Sequence, residues 1–340
     1  MRRYLQYIIC SVSVLSLLFA TTSCEHKDLC YHHPHGVKIK VEFDWSKAPD
    51  ANPAGMCVFF YPEDGGEAVR YDFKGREGGE IEIIVGNYRA IAYNNDTETV
   101  RYANGGFETH RLYTSETSVL EPLLGRDVDS KPLPEDAEND RVVRTPDMVW
   151  ATSSEQISIT ETETHYDHEI ITGEMSGPSL KVDNTGEVVV ITFTPEEVVC
   201  HYSYEYQNVK NLRNVSKMSA ALTGMSGVYY PGLWQLDKEC ITLPFEAQSF
   251  GKNSIIGNFL TFGHHLDKTQ KHWMVLYTFL IDGRLMIYFT DVTGQVHNAP
   301  DPRHVHIIIP NLPIPDVDQD KGSFQPSVDE WEVENHEIRM

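Results

Sequence analysis

Short segments in which every second residue is apolar recur along most of this chain, and they limit its fold more than any other feature. In the first of them, residues 37–43, apolar side chains alternate with charged ones. A repeat of two places all the apolar side chains on one face of a β-strand. Comparable segments follow at intervals of roughly 8–12 residues, separated by Gly, Pro and Asn, which is typical of a β-sandwich.

Several individual elements can be predicted from the local pattern. Residues 56–61 are continuously apolar or aromatic, which favours a central strand, and the three tyrosines within residues 202–206 share one face of another strand. Two dipeptides predict hairpins: Gly-Asn at 86–87, and Asp-Gly at 282–283 as a type I′ turn. Helix signals are scarce, and in the best of them, residues 208–221, Asn, Ser and Val limit the helix to one turn.

Length and composition predict two modules in preference to one long sandwich. The chain has 340 residues, enough for two domains that each bury a core. We expect an N-terminal β-sandwich domain at residues 37–165, with an exposed loop at 122–146 that is rich in Pro and acidic residues. The C-terminal β-sandwich domain is expected at residues 181–340, with the β-forming residues 188–193 among its first strands.

The N-terminal segment carries an export signal rather than a folded element. A positively charged start precedes a mostly apolar stretch at residues 4–20, which is too short for a membrane span. Ser23 then precedes Cys24, and this order is similar to the lipobox of bacterial lipoproteins, in which the cysteine receives the lipid. We therefore expect a signal peptide at residues 1–23, a lipid on Cys24 and a flexible tether at 24–36; an ordinary signal peptide containing a cysteine is the alternative.

The charge of the chain limits its partners. It contains 28 Lys and Arg against 50 Asp and Glu, a formal net charge of −22. Such a surface repels nucleic acid and anionic lipid, so we expect no nucleic-acid partner. Acyl chains, rather than charge, would hold the protein at a membrane.

The cysteines give one candidate disulfide bond. In an exported protein a bridge between Cys200 and Cys240 is conceivable, although their spacing does not establish it. Cys57 lies within an apolar run, where a small buried side chain is expected. The sequence contains no CxxC pair, which indicates neither a redox motif nor a zinc knuckle.

The histidines do not form a recognisable metal motif. His304 and His306 share one strand face, as zinc ligands can, and we interpret them as a partly exposed pair. His264, His265 and His272 flank a polar turn next to a strand. The HExxH pattern does not occur, and the acidic residues at 316–320 lack the Gly and the closing Glu of a calcium loop. We predict no metal and no cofactor.

Catalytic motifs are also incomplete. The Gly-Met-Ser-Gly run at 224–227 has its second Gly one residue too early for a nucleophile elbow. We predict that the protein is not an enzyme; a glycosidase that brings two carboxylates together from distant strands is the alternative that the sequence leaves open.

One aromatic loop is a candidate binding patch. Tyr229, Tyr230 and Trp234 surround a Pro-Gly turn, and aromatic rings exposed in this way can stack on sugar rings. The patch therefore predicts a glycan as one class of partner.

Four features together carry a family resemblance: Cys24, the strand at 37–43, the segment at 83–94 and the closing segment at 328–333. They resemble a family of Bacteroidetes lipoproteins of unknown function related to the fimbrillins. The resemblance implies an all-β fold of two tandem transthyretin-like (Greek-key) β-sandwich domains. It also implies a palmitate-bearing anchor in the outer membrane, at the cell surface or on the periplasmic face.

The resemblance further implies a role in fimbria-like surface assemblies. Stalk subunits of such assemblies are matured by cleavage after an Arg, and here no Arg occurs between Cys24 and Arg70. This favours a non-polymerising anchor or accessory subunit, which would dock other fimbrial or envelope subunits through a sheet edge or a terminal strand. A glycan-binding surface lipoprotein of a nutrient-uptake system is the alternative.

Overall fold

The computed structural model describes residues 36–125, 132–160, 180–182, 189–265, 269–317 and 333–338. From Val37 onward these residues belong to one compact unit. Five β-sheets account for nearly all of their regular structure, and the two α-helices found among them are single turns. The prediction of an all-β fold is therefore confirmed.

The described strands, in chain order, are β1 (Gly36–Phe43), β2 (Gly55–Pro62), β3 (Val69–Lys74), β4 (Gly78–Ile84), β5 (Gly86–Asn94), β6 (Val100–Ala103), β7 (Arg111–Thr114), β8 (Arg141–Val142), β9 (Trp150–Ile159), β10 (Leu180–Val182), β11 (Val189–Phe193), β12 (Glu196–Glu197), β13 (Cys200–Gln207), β14 (Val215–Ser226), β15 (Val228–Tyr230), β16 (Gln235–Leu236), β17 (Cys240–Glu246), β18 (Gln248–Phe250), β19 (Ser254–Thr261), β20 (Trp273–Leu280), β21 (Leu285–Asp291), β22 (His304–Pro310) and β23 (Val333–Ile338). The helices are α1 (Glu121–Leu124) and α2 (Thr293–His297), and 3-10 turns lie at Glu135–Ala137 and Leu212–Asn214.

Two sheets in the N-terminal half enclose one core. Their strand orders are β10-β11-β1-β4 and β12-β9-β5-β2-β3. Apolar residues from both sheets, such as Val41 of β1, Phe193 of β11 and Phe60 of β2, form a single buried cluster. β2 lies between β5 and β3, and all but its last residue are buried. The prediction of a central strand at residues 56–61 is thus confirmed.

The C-terminal half is built on the same plan. Its sheets have the orders β18-β19-β13-β22 and β23-β21-β20-β14-β17-β8. Tyr202, Tyr204 and Tyr206 of β13 face the core between these sheets, as their spacing predicts, and pack with residues such as Leu276 of β20 and Tyr288 of β21. Burying three phenol rings on one strand face supplies a large apolar area.

A small sheet of order β16-β15-β7-β6 covers the outer face of β2 and β5. Cys57 and Phe59 of β2, Tyr93 of β5 and Leu112 of β7 are buried together in this second cluster. β2 is therefore covered on both faces, which explains why its sequence is continuously apolar instead of alternating.

Two predicted strand placements are wrong. β11 was expected in the C-terminal domain, but it pairs in parallel with β1 from Ile39↔Val189 to Phe43↔Phe193. β4 and β5 were expected to form a hairpin around residues 86–87, yet they lie in different sheets, because β4 pairs with β1 and β5 pairs with β2 and β9. The domain boundary near residues 165–181 and the tandem transthyretin-like topology stay predictions, since residues 161–179 lie outside the described part.

The segment at 122–146 is not simply an exposed loop. Leu123 of α1 and Val142 of β8 are buried, together with Val143. β8 also pairs in parallel with β17. Although this segment is rich in Pro and acidic residues, it also contains a few buried apolar side chains, and these attach it to the C-terminal half.

The hairpin at 282–283 exists, but its turn differs from the prediction. β20 and β21 pair as far as Phe279↔Leu285, and the Leu280 N–H donates to the Arg284 carbonyl at 2.9 Å. Three residues therefore form the loop, and only Gly283 has a positive φ, of 92°. A type I′ turn requires two such residues, so this loop is the three-residue kind with Gly in the left-handed position.

Candidate binding surface

The predicted aromatic patch is divided between core and surface. Tyr229, on β15, is 6% exposed, and its ring stacks on Phe262 with centroids 6.2 Å apart. Trp234, by contrast, is 41% exposed and meets Tyr229 edge-on. Tyr230 is half-buried. Of the three predicted residues, Trp234 is the most exposed, while Tyr229 belongs to the core.

The turn before Trp234 fixes the position of its ring. An added Cβ at Gly232 would lie 2.2 Å from the Phe107 carbonyl oxygen, so this turn requires glycine. Trp234 itself has a φ of 54°, an uncommon conformation for an aromatic residue. Its Nε1–H donates to Ser153 Oγ at 2.7 Å. The indole is therefore held at a defined place although it is exposed.

A cleft of about 480 Å³ lies beside Trp234. Its lining is mainly apolar, with Leu236 and Phe262 contributing, and His265 and Arg303 add polar groups. Such a lining suits a ring or an aliphatic side chain that carries polar groups at one end. No local sequence pattern points to Ser153 or Arg303, because both come from segments far from the aromatic loop along the chain.

Cys200, at the start of β13, and Cys240, at the start of β17, are not bonded to each other in this structure. Cys200, on β13, lies with its Sγ 3.9 Å from the Phe262 carbonyl oxygen. Burial raises the pKa of the Cys200 thiol to about 11. The thiol is therefore protonated at neutral pH and is a weak nucleophile.

Sheet edges offer a second kind of binding surface. β22 is an edge strand of its sheet. There the Gln295 side chain hydrogen-bonds to the backbone groups of Ile308. Gln295 Nε2 donates to the Ile308 carbonyl at 2.9 Å, and Gln295 Oε1 accepts from the Ile308 N–H at 2.8 Å. A side chain in this position blocks the pairing of another strand.

The edge of the six-stranded sheet is formed differently. There β23 pairs in parallel with β21, from Leu285↔Val333 to Thr290↔Ile338. A strand close to the C-terminus thus completes this sheet. Cys24, the signal segment and the tether lie outside the described residues, apart from Gly36.

Comparison with known proteins gives one family and several relatives. A family model for a domain of unknown function, DUF5119, matches residues 23–246. Over 251 residues the chain is 25% identical to a Bacteroides ovatus protein named "Putative fimbrium anchoring subunit Fim4B". This alignment covers 73% of the chain and 63% of the length of that relative.

One solved structure shows the same fold, and a second is reported with it as a similar chain. A crystal structure described as a "putative adhesin" from Bacteroides ovatus is similar with a TM-score of 0.59 at 21% identity, covering 88% of this chain and 99% of that one. The fimbrial anchor protein Mfa2 from Porphyromonas gingivalis has a TM-score of 0.45 at 11% identity, over 80% of this chain and 90% of that one.

Proposed function

This chain belongs to the DUF5119 family, and we propose that it is a lipid-anchored subunit of the bacterial cell envelope that serves fimbria-like surface assemblies. Within such an assembly it acts as a non-polymerising anchor or accessory subunit and catalyses no reaction. The observation that carries this proposal is the alignment of 73% of the chain with a relative named as a fimbrium anchoring subunit.

The lipid anchor is proposed from the sequence of the first 24 residues. The apolar stretch at 4–20 and the Ser23-Cys24 pair support export followed by lipidation of Cys24. Within the described residues, no helix is both long and apolar enough to cross a membrane. The net charge of −22 also disfavours binding to anionic lipid through charge. Palmitate on Cys24 would supply the attachment to the outer membrane.

Docking of a partner subunit is proposed at the outer edge of β23, the strand that pairs with β21. Among the described strands, β23 pairs with β21 alone, and we infer that its other side is available to an additional strand. Extended segments bind such edges through main-chain hydrogen bonds. The edge at β22 is a poorer candidate because Gln295 occupies the backbone of Ile308.

Affinity purification from cross-linked native cells tests this proposal. The full chain should recover fimbrial subunits, and deletion of residues 333–340 should reduce that recovery at least several-fold. Glu246→Lys, at the exposed end of β17, is a matched control that should leave recovery unchanged. Recovery of nutrient-uptake proteins in place of fimbrial subunits would contradict the proposal.

Glycan binding is the second candidate function, and the cleft beside Trp234 favours it. A fixed, exposed indole next to an apolar cleft can stack on a sugar ring. A glycan array should then give a signal that disappears in Trp234→Ala and persists in Phe250→Ala, a change at another exposed aromatic residue. An array without signal for the wild-type protein would remove this candidate.

A further inference from the structure

The cleft beside Trp234 carries a permanent positive charge. Among the described residues that line it, Arg303 is the only Lys or Arg, and none is Asp or Glu. A lining without a carboxylate stands out in a chain with 50 acidic and 28 basic residues. We propose that this cleft binds a sugar residue that carries a carboxylate, with the sugar ring on Trp234 and the carboxylate on Arg303. The inference rests on the glycan-binding candidate above and specifies its ligand.

The backbone of Arg303 is fixed, while its guanidinium is free. The His201 N–H donates to the Arg303 carbonyl at 2.7 Å, and the Arg303 N–H donates to Asp301 Oδ1 at 2.8 Å. Among the described residues, none forms a hydrogen bond or an ion pair with the Arg303 guanidinium. This group has five N–H donors in a planar fork that suits a carboxylate. It is therefore available to a ligand.

The charge of Arg303 acts on the wall of the cleft. Burial raises the pKa of both the Cys200 thiol and the Tyr229 hydroxyl, and the positive charge of Arg303 opposes this rise in both. Cys200 lines the cleft, as does Phe262, whose ring stacks on Tyr229. The positive charge of Arg303 is therefore close to the apolar groups that would surround a ligand.

The carboxylates near Arg303 already have other partners. Three of them act on the same Cys200 and Tyr229 groups, with a sign opposite to that of Arg303. Each of the three hydrogen-bonds to another side chain, and the pairs are Glu197 with His201, Asp301 with His304 and Glu196 with Lys47. The guanidinium of Arg303 is thus left without an ion pair of its own, and an anionic group in the cleft would supply one.

Trp234 supplies the surface for the sugar ring. Its indole is 41% exposed and is held by the bond from Nε1–H to Ser153 Oγ at 2.7 Å. Leu236 and Phe262 continue the apolar lining, and the cleft volume of about 480 Å³ lies in the range of small-ligand sites. One face of a sugar ring is largely apolar, whereas its edge carries the polar groups. A ring that stacks on the indole can therefore direct a carboxylate on its edge towards the guanidinium.

The charges of the protein favour a ligand with one negative group. Outside the cleft the net charge of −22 repels polyanions such as nucleic acid. A neutral sugar would form no charge-assisted hydrogen bond with Arg303. A sugar with a single carboxylate matches one guanidinium beside one indole, and so it fits the cleft better than either of these.

Binding to immobilised oligosaccharides of galacturonic acid and of sialic acid, each beside its methyl ester, tests the proposal on the full chain. Esterification removes the negative charge and keeps the ring. The wild-type protein should bind at least one acid about 10-fold more tightly than its ester. Arg303→Gln, a change at an exposed residue, should bind both forms equally, and Trp234→Ala should lose binding of both.

Two further variants complete the experiment. Arg303→Lys keeps the charge without the planar fork and should retain part of the preference for the acid. Arg213→Gln removes the same charge at an exposed residue that does not line this cleft, and it should keep the full preference.

The outcomes separate this inference from glycan binding itself. Equal binding of acid and ester by the wild-type protein would overturn the inference, as would a preference that survives Arg303→Gln or disappears in Arg213→Gln. Each of these results leaves a glycan site at Trp234 standing. An absence of wild-type binding to every acid and every ester would overturn the inference, and the array of neutral glycans would then decide on glycan binding alone.

Discussion

We expect acid to destabilise this protein through His110, a residue that is fully buried beneath the small sheet. Its Nδ1 lies 2.6 Å from the Tyr61 hydroxyl, and its Nε2 lies 3.1 Å from the Tyr93 hydroxyl. Burial lowers the pKa of His110 to about 4, and the nearby positive charge of Arg70 contributes to the shift. The folded protein therefore keeps this imidazole neutral.

The sign and size of the effect follow from proton binding. Above a pH of about 6.5, the ordinary pKa of histidine, the imidazole is neutral in both the folded and the unfolded state. As the pH falls from about 6.5 towards 4, the unfolded chain binds a proton at His110 that the folded protein does not bind, so stability is lost. Between pH 7.5 and pH 5 this one group lowers the free energy of unfolding by about 2 kcal/mol.

Urea denaturation at the two pH values measures this loss. The wild-type free energy of unfolding should fall by about 2 kcal/mol more than that of His110→Gln, which cannot titrate. Tyr102→Phe is a matched control, because Tyr102 stacks on the His110 ring but supplies neither of its two hydrogen bonds. It should keep the wild-type pH dependence. Parallel losses in wild type and His110→Gln would refute the argument.

Three further substitutions have defined outcomes in chemical denaturation. Gly78→Ala should cost about 3 kcal/mol, because φ is +90° and the added Cβ would lie 2.1 Å from the Val41 carbonyl oxygen; a neutral result would mean that β4 can move away from β1. Phe245→Ala should cost about 3–5 kcal/mol, since its ring stacks on Phe259 at 3.8 Å in the core, and less than 1 kcal/mol would contradict that packing. Trp234→Ala should cost less than Phe245→Ala, about 1–2 kcal/mol, because Trp234 is 41% exposed; a loss as large as that of Phe245→Ala would identify it as part of the core.

The side chains that share one face of a strand could be predicted from the sequence, because they depend on the local alternation of apolar and polar residues. The three tyrosines at 202–206 lie on one face of β13 and are buried there, as their spacing predicts. Strand partners could not be read in this way. β11 joins β1 across about 150 residues of chain, and the small sheet joins β7 to β15 across about 115. No local sequence pattern indicates which distant strand a given strand will pair with.

The candidate binding surface likewise combines a feature that the sequence predicts with features that it does not predict. Aromatic composition indicated the loop at 229–234, but only tertiary packing decides that Tyr229 is covered by Phe262 while Trp234 is not. In the segment at 122–146, Leu123 was the available signal of burial, and the surrounding Pro and acidic residues obscured it.

The distribution of fimbrial subunits between cells and culture medium tests the proposed anchoring role most directly. Quantitative immunoblotting would compare cells that express the wild-type protein with cells that express Cys24→Ser. We predict that the variant loses palmitate and that both the protein and its partner subunits move into the medium. Retention of the partner subunits on cells that carry the unlipidated variant would contradict the account.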